Sequence, residues 1–187
     1  MHPSAYIFAS RALAEADVKG MRVVEVGAYD YNGSVRGVYE AMSPASYTGT
    51  DAQPGPGVDL VCPAEKLPEA LGEASADVVI CTEMLEHAED WRGAVTGIAR
   101  ILAPGGLLLL TTRGPGYPYH PHPGDFHRFT TDHMEGIAEA CGLDVVRLEP
   151  DPDWHAPGVF LLARKPDAWD GAGMAEGLAV VEPWPPR

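Results

Sequence analysis

Short runs that are apolar at successive positions, among them VVEV at 23–26, DVVICT at 77–82 and LLLLTT at 107–112, alternate with helical patterns along most of this chain. A strand that is apolar on both faces must be covered on both. Strands of that kind, separated by amphipathic helices, build a mostly parallel sheet sandwiched between helical layers. The reading along the chain is a helix over 4–17, a strand over 21–26, a helix over 33–42 and strands over 46–50 and 58–61. A short helix over 65–71 and a strand over 77–82 follow. Trp91, Val95, Ile98 and Leu102 then recur at helical spacing behind Asp90, a residue suited to an N-cap. Ala103-Pro104-Gly105-Gly106 stops that helix before a strand over 107–112. A helix over 131–141 precedes two final strands, 143–148 and 159–164. No helix separates these two, so they are expected to pair antiparallel at one edge. The pattern closes near residue 166. The remainder, 167–187, is a Gly- and Pro-rich tail whose Leu178–Val181 and Trp184 give it some means of packing, with partial disorder as the alternative.

Charge and cysteine content narrow the functions available. A formal net charge of −14, from 27 acidic and 13 basic residues, leaves no basic run to neutralise a phosphate backbone, so nucleic acid is not an expected partner. Cys62, Cys81 and Cys141 are far apart and odd in number, as in a reducing compartment. Glu15 and Asp17 interrupt the only stretch that could resemble a signal peptide, and no run reaches the ~18 apolar residues of a membrane span. The expectation is a cytoplasmic protein without a membrane partner.

The first strand ends in Glu25-Val26-Gly27-Ala28-Tyr29-Asp30, and in an open parallel sheet ligands bind beyond the carboxyl ends of the strands. Gly27 lets a ligand approach the backbone, and a helix opening at Gly33-Ser34 would offer amides to a carboxylate. Asp51, 24 residues after Gly27, stands where an acidic side chain can bind a ribose diol. Ala28 and Tyr29 replace the glycines of a GxGxxG fingerprint, which disfavours a dinucleotide. A plain turn at Gly27 and a plain strand-end cap at Asp51 remain alternatives to a binding role.

Three segments, VVEVGAYDYNGSV at 23–35, DVVICTEMLEHAEDW at 77–91 and ARILAPGGLLLLTT at 99–112, together resemble the class I S-adenosylmethionine-dependent methyltransferases, in particular small type-11-like domains. The resemblance covers roughly residues 20–165. It implies a Rossmann-like three-layer α/β sandwich whose seven-stranded, mostly parallel sheet carries an antiparallel edge strand. It also implies S-adenosylmethionine as cofactor and a methyltransferase domain over 1–166. Position by position, Glu25, Gly27, Ala28 and Tyr29 fall on the motif beside the methionine portion, and Asp51 on the ribose-binding acid. Cys62–Pro68 matches the adenine segment. Pro63 replaces the aspartate often found there, so Ala64 or Glu65 is left to contact the base. Thr82 and Glu83 end the strand that faces cofactor and acceptor.

The stretch GPGYPYHPHPGDFHRF at 114–129 follows the fifth strand and therefore lies on the same face as the cofactor turn. Loops this long without regular structure are commonly functional or disordered. Candidate catalytic residues are His120, His122, Asp125, His127 and Arg128 within it, and His87 after the fourth strand. A histidine could serve as base for a hydroxyl acceptor. Three other readings stay open: Asp125 and Arg128 pin the loop, the histidines and Asp125 bind a divalent metal, or the loop is inert. Related methyltransferases with a similar His-Pro-x-Asp-aromatic-x-Arg-Phe-Thr loop act on small molecules, sugars included. The function expected is methyl transfer to a small-molecule acceptor, at a hydroxyl oxygen. A homo-oligomer is one way to lid the cleft. A nicotinamide-dependent oxidoreductase and a non-catalytic S-adenosylmethionine-binding module are the rival readings.

Overall fold

A computed structural model describes residues 1–121 and 124–186. Its seven strands are β1 (Arg22–Val26), β2 (Ser46–Asp51), β3 (Leu60–Val61), β4 (Ala76–Thr82), β5 (Leu102–Arg113), β6 (Asp144–Pro150) and β7 (Gly158–Arg164), in the order β3-β2-β1-β4-β5-β7-β6. β1, β2, β3, β4 and β5 pair in parallel. The antiparallel pairing lies at the sheet's edge, where β7 is inserted between β5 and β6. β6, on that edge, is largely exposed and carries Asp144, Arg147 and Glu149, charges that discourage pairing with another chain.

The two-faced apolar runs divide as strand geometry requires. Val79, Cys81, Leu108 and Leu110 join one core cluster, and Val78, Ile80, Leu107 and Leu109 the other. The first cluster is covered by α4 (Leu67–Leu71), α5 (Trp91–Ile101), α6 (Thr131–Ala140) and the tail helix α7 (Met174–Ala179). The second is covered by α1 (Pro3–Ala12), α2 (Glu15–Val18) and α3 (Arg36–Glu40).

Local chemistry moved several boundaries. The leading helix breaks at Leu13, which is extended and turns its side chain into the core, and the Asp17 carboxylate accepts from Ala14 N to start α2 afresh. α3 begins at Arg36 rather than Gly33. Asp30 Oδ1 accepts from Gly33 N, and Ser34 Oγ accepts from Arg36 N, so this segment is held in turns that compete with the helix. Asp90 caps α5 as its position suggested, accepting from Gly93 N. The Pro-Gly-Gly junction belongs to β5, and the buried Lys165 ammonium donates to Ala99 O and Leu102 O, satisfying carbonyls at the end of α5. The tail packs on the body: Met174, Leu178 and Val181 are buried, Arg92 donates to Leu178 O and Val181 O, and Trp184 bridges to Arg128. Among the described residues, no helix is long and apolar enough to cross a membrane.

Candidate active site

A cleft of about 890 Å³ opens beyond the carboxyl ends of β1, β2 and β4. The turn after β1 forms its floor. Gly27 has φ +80, and a Cβ there would lie 2.6 Å from Met84 Cβ, so neither the backbone nor the space admits a side chain. Gly27 N and Ala28 N both donate to Thr50 O, which ties the turn to β2. Asp51, at the end of β2, accepts from Gln53 N and Tyr29 N through separate oxygens and remains partly exposed on the cleft wall. Glu25, also on the cleft, is buried and accepts from the Tyr47 hydroxyl at 2.8 Å. Desolvation raises its pKa to about 7, against the lowering effect of that hydrogen bond. Opposite, Ala64 and Glu65 begin a single 3-10 turn against which α5 packs closely. A Cβ on Gly97 would meet Ala64 O at 2.1 Å.

The other end of the cleft is built where β4 leaves the sheet. Glu83 adopts φ 55, a conformation costly for a residue with a side chain, and several bonds hold it there. Its amide donates to Thr111 O, and its carboxylate accepts from Thr111 Oγ1 and from Arg113 Nε. Arg113, itself buried, also donates to Asp151 Oδ2 and Ala156 O. One turn on, Glu86 has 0% exposure; Oε2 accepts from the Thr112 hydroxyl at 2.7 Å, while Oε1 has no hydrogen-bond partner among the described residues. Burial, and the Glu83 charge after it, raise the Glu86 pKa to about 8. Glu86 O accepts from Phe126 N and His127 N, which draws the 114–129 loop onto this corner. His87 and His120 flank the Glu86 carboxylate and line the cleft with Tyr117.

A family model described as a methyltransferase domain matches residues 33–110. No curated protein sequence matches the chain. Its fold is similar to Burkholderia thailandensis 1,6-didemethyltoxoflavin-N1-methyltransferase, solved with 1,6-didemethyltoxoflavin and S-adenosylhomocysteine, at 18% identity and TM-score 0.67 over 89% of this chain and 78% of that one. It is similar also to an S-adenosylmethionine-dependent methyltransferase from Mesorhizobium loti, at 18% identity and TM-score 0.63 over 86% and 98% of the two chains. The chain has the fold of these S-adenosylmethionine-dependent methyltransferases, and its residues 33–110 match the methyltransferase-domain model. The SpnF cyclase shares the fold at 16% identity and TM-score 0.62, over 87% of this chain and 79% of that one. At these identities the likeness of shape does not extend to the acceptor.

The nine residues expected on the cofactor side come together. Glu25, Gly27, Ala28, Tyr29, Asp51, Ala64, Glu65, Thr82 and Glu83 all line the one cleft. The six candidates for chemistry separate. His87 and His120 face the cleft. His122 lies outside the described residues. Asp125 and Arg128 are buried, form a charged pair with Arg128 Nη2 donating to Asp125 Oδ2 at 2.7 Å, and do not line the cleft. Arg128 also donates to Tyr117 O and Pro118 O, so the pair holds the loop in shape. His127 sits off the cleft, its Nε2 within hydrogen-bonding distance of Glu89 O. Sequence reasoning missed Glu86 and Arg113. The available signal for Glu86 was its place: a carboxylate just past the fourth strand, next to His87.

Proposed function

We propose that this methyltransferase acts on a small-molecule hydroxyl, with the donor on the Glu25–Asp51 side of the cleft and the acceptor beside His87 and His120. The observation that carries this is one continuous cleft lined by both groups. The residues present suit S-adenosylmethionine: the turn at Gly27 has no Cβ to obstruct a ligand, Asp51 offers a carboxylate to a ribose diol, and Glu25 offers one to a cationic group. When bound, the donor supplies a methyl group already activated by a positively charged sulfur. The chain's own task is then to align and to remove a proton. Alignment alone is worth several kcal/mol. Ala64 and the backbone around Glu65 form the adenine wall, where the missing aspartate at Pro63 leaves main-chain groups to act.

On the acceptor side, desolvation lowers the His120 pKa below its usual value, which favours the neutral imidazole with a lone pair to offer. His87 and Glu86 stand beside it at this end of the cleft. Three free and buried thiols and the acidic composition support a cytoplasmic setting and a small-molecule rather than nucleic-acid acceptor. The experiment is to incubate the protein with labelled S-adenosylmethionine and a panel of sugars and other hydroxylated metabolites beside matched amines. Label on oxygen, with S-adenosylhomocysteine released, is expected. Label only on amines would refute the hydroxyl assignment.

A further inference from the structure

We infer that Glu86, His87 and His120 form a binding site for a divalent first-row transition metal at the acceptor end of the cleft. Glu86 Oε1, His87 Nε2 and His120 Nε2 converge, with 4.0 Å from His87 and 3.9 Å from His120 to the carboxylate oxygen. Three ligands at ~2.1 Å from one ion in tetrahedral array stand about 3.4 Å apart. Each histidine needs to close on the carboxylate by about half an ångström, and the two imidazole nitrogens, within 4.8 Å of one another, by up to about 1.4 Å, movements within the reach of side-chain torsions.

Two features beyond proximity point to a cation. The first is the orphaned oxygen. Glu86 Oε1 is fully enclosed and has no hydrogen-bond partner among the described residues, although its sister Oε2 is satisfied by Thr112. A buried carboxylate oxygen without a partner is costly, and a cation there would offset that cost. The second is the orientation of both rings. His87 Nδ1 lies against Gly124 O, an acceptor, so Nδ1 carries the proton and Nε2 carries the lone pair. His120 Nδ1 lies 3.1 Å from Asp125 Oδ2 and 3.1 Å from Pro118 O, again acceptors, which leaves its Nε2 lone pair facing Glu86. Carboxylate or carbonyl behind a histidine, and lone pair in front, is the arrangement that fixes imidazoles as metal ligands. The buried Asp125–Arg128 pair thereby gains a role: it is the support that orients His120.

The donor set selects the ion. Two imidazoles and one carboxylate suit zinc, ferrous iron or cobalt, whereas magnesium and calcium favour all-oxygen sites. Three protein ligands leave open positions, and with both histidines on the cleft wall those positions face the acceptor space. Coordination there would make a hydroxyl acceptor easier to deprotonate, a consequence that rests on the proposed function. The metal site itself does not.

The test uses tag-free protein, stripped with chelator and titrated with Co2+ while visible ligand-field absorption and calorimetric heat are recorded. One ion per chain with ligand-field bands is expected. Glu86→Gln and His120→Ala should abolish the bands, and Asp125→Asn should weaken binding about ten- to hundredfold. His155→Ala, at an exposed histidine elsewhere, is the control that should change nothing. S-adenosylhomocysteine affinity, measured on every variant, shows that each is folded and tests the methyltransferase reading separately. Absence of bands in the parent protein, or bands that survive both Glu86→Gln and His120→Ala, would overturn the metal site. Loss of S-adenosylhomocysteine binding with bands retained would overturn the proposed function instead.

Discussion

Replacing Glu86 with glutamine should change how this protein's stability depends on pH. In the fold the Glu86 carboxyl is sealed from water beside the Glu83 charge, and its pKa is raised to about 8. In the unfolded chain it titrates near its ordinary value, about 4.3. A carboxyl whose folded pKa is raised binds its proton more tightly when folded. Its cost is therefore absent below about pH 4.3, grows as pH rises, and is complete above about pH 8. At ~1.4 kcal/mol per pH unit, a gap of three to four units amounts to about 4–6 kcal/mol, a large share of a typical domain's stability. Glutamine keeps an oxygen for Thr112 and carries no titratable proton. The assay is urea unfolding of parent and Glu86→Gln across pH 4.5–8.5, in chelator so that a proton is the only cation available. Subtracting the two curves cancels the general effect of the net negative charge. The glutamine variant should gain on the parent steadily through the window, with equal m-values. Curves that run parallel from end to end would refute the burial argument.

Other outcomes follow from the donor side. Asp51→Ala should weaken S-adenosylhomocysteine binding by roughly 1–3 kcal/mol, the loss of a charged hydrogen bond, and equilibrium titration reads it directly. Gly27→Ala forces a side chain to φ +80 and onto Met84, so it should lower the melting temperature and reduce cofactor affinity together. Because burial raises Glu25 to about 7, S-adenosylmethionine should bind more tightly as pH rises through 7 and Glu25 ionises; in Glu25→Gln that dependence should flatten.

The sheet was legible because its signal is redundant. Each central strand is apolar at successive positions, so DVVICT could serve only a strand with two covered faces, as the two core clusters confirm. Short-range polar chemistry was harder to read. Whether Gly33-Ser34 opens a helix depends on where the Asp30 and Ser34 side chains turn, and whether the first helix runs past Ala12 depends on the burial of Leu13. The cofactor side follows from strand ends, which periodicity locates, so its residues converge. The acceptor side depends on a loop return. From the sequence, Asp125, His127 and Arg128 look like partners of His120 in one reactive loop. The fold buries Asp125 and Arg128 as its brace and brings Glu86, on another segment, to His120. No periodicity announces such a meeting, because it is set by Glu86 O drawing Phe126 and His127 inward.

The central claim is that the cleft between Glu25 and His120 receives S-adenosylmethionine. Calorimetric titration with S-adenosylhomocysteine, and separately with NAD, tests it most directly. One S-adenosylhomocysteine should bind per chain, displaceable by S-adenosylmethionine and weakened by Asp51→Ala, with no heat from NAD. Binding of NAD without S-adenosylhomocysteine, or S-adenosylhomocysteine affinity indifferent to Asp51→Ala, would contradict the account.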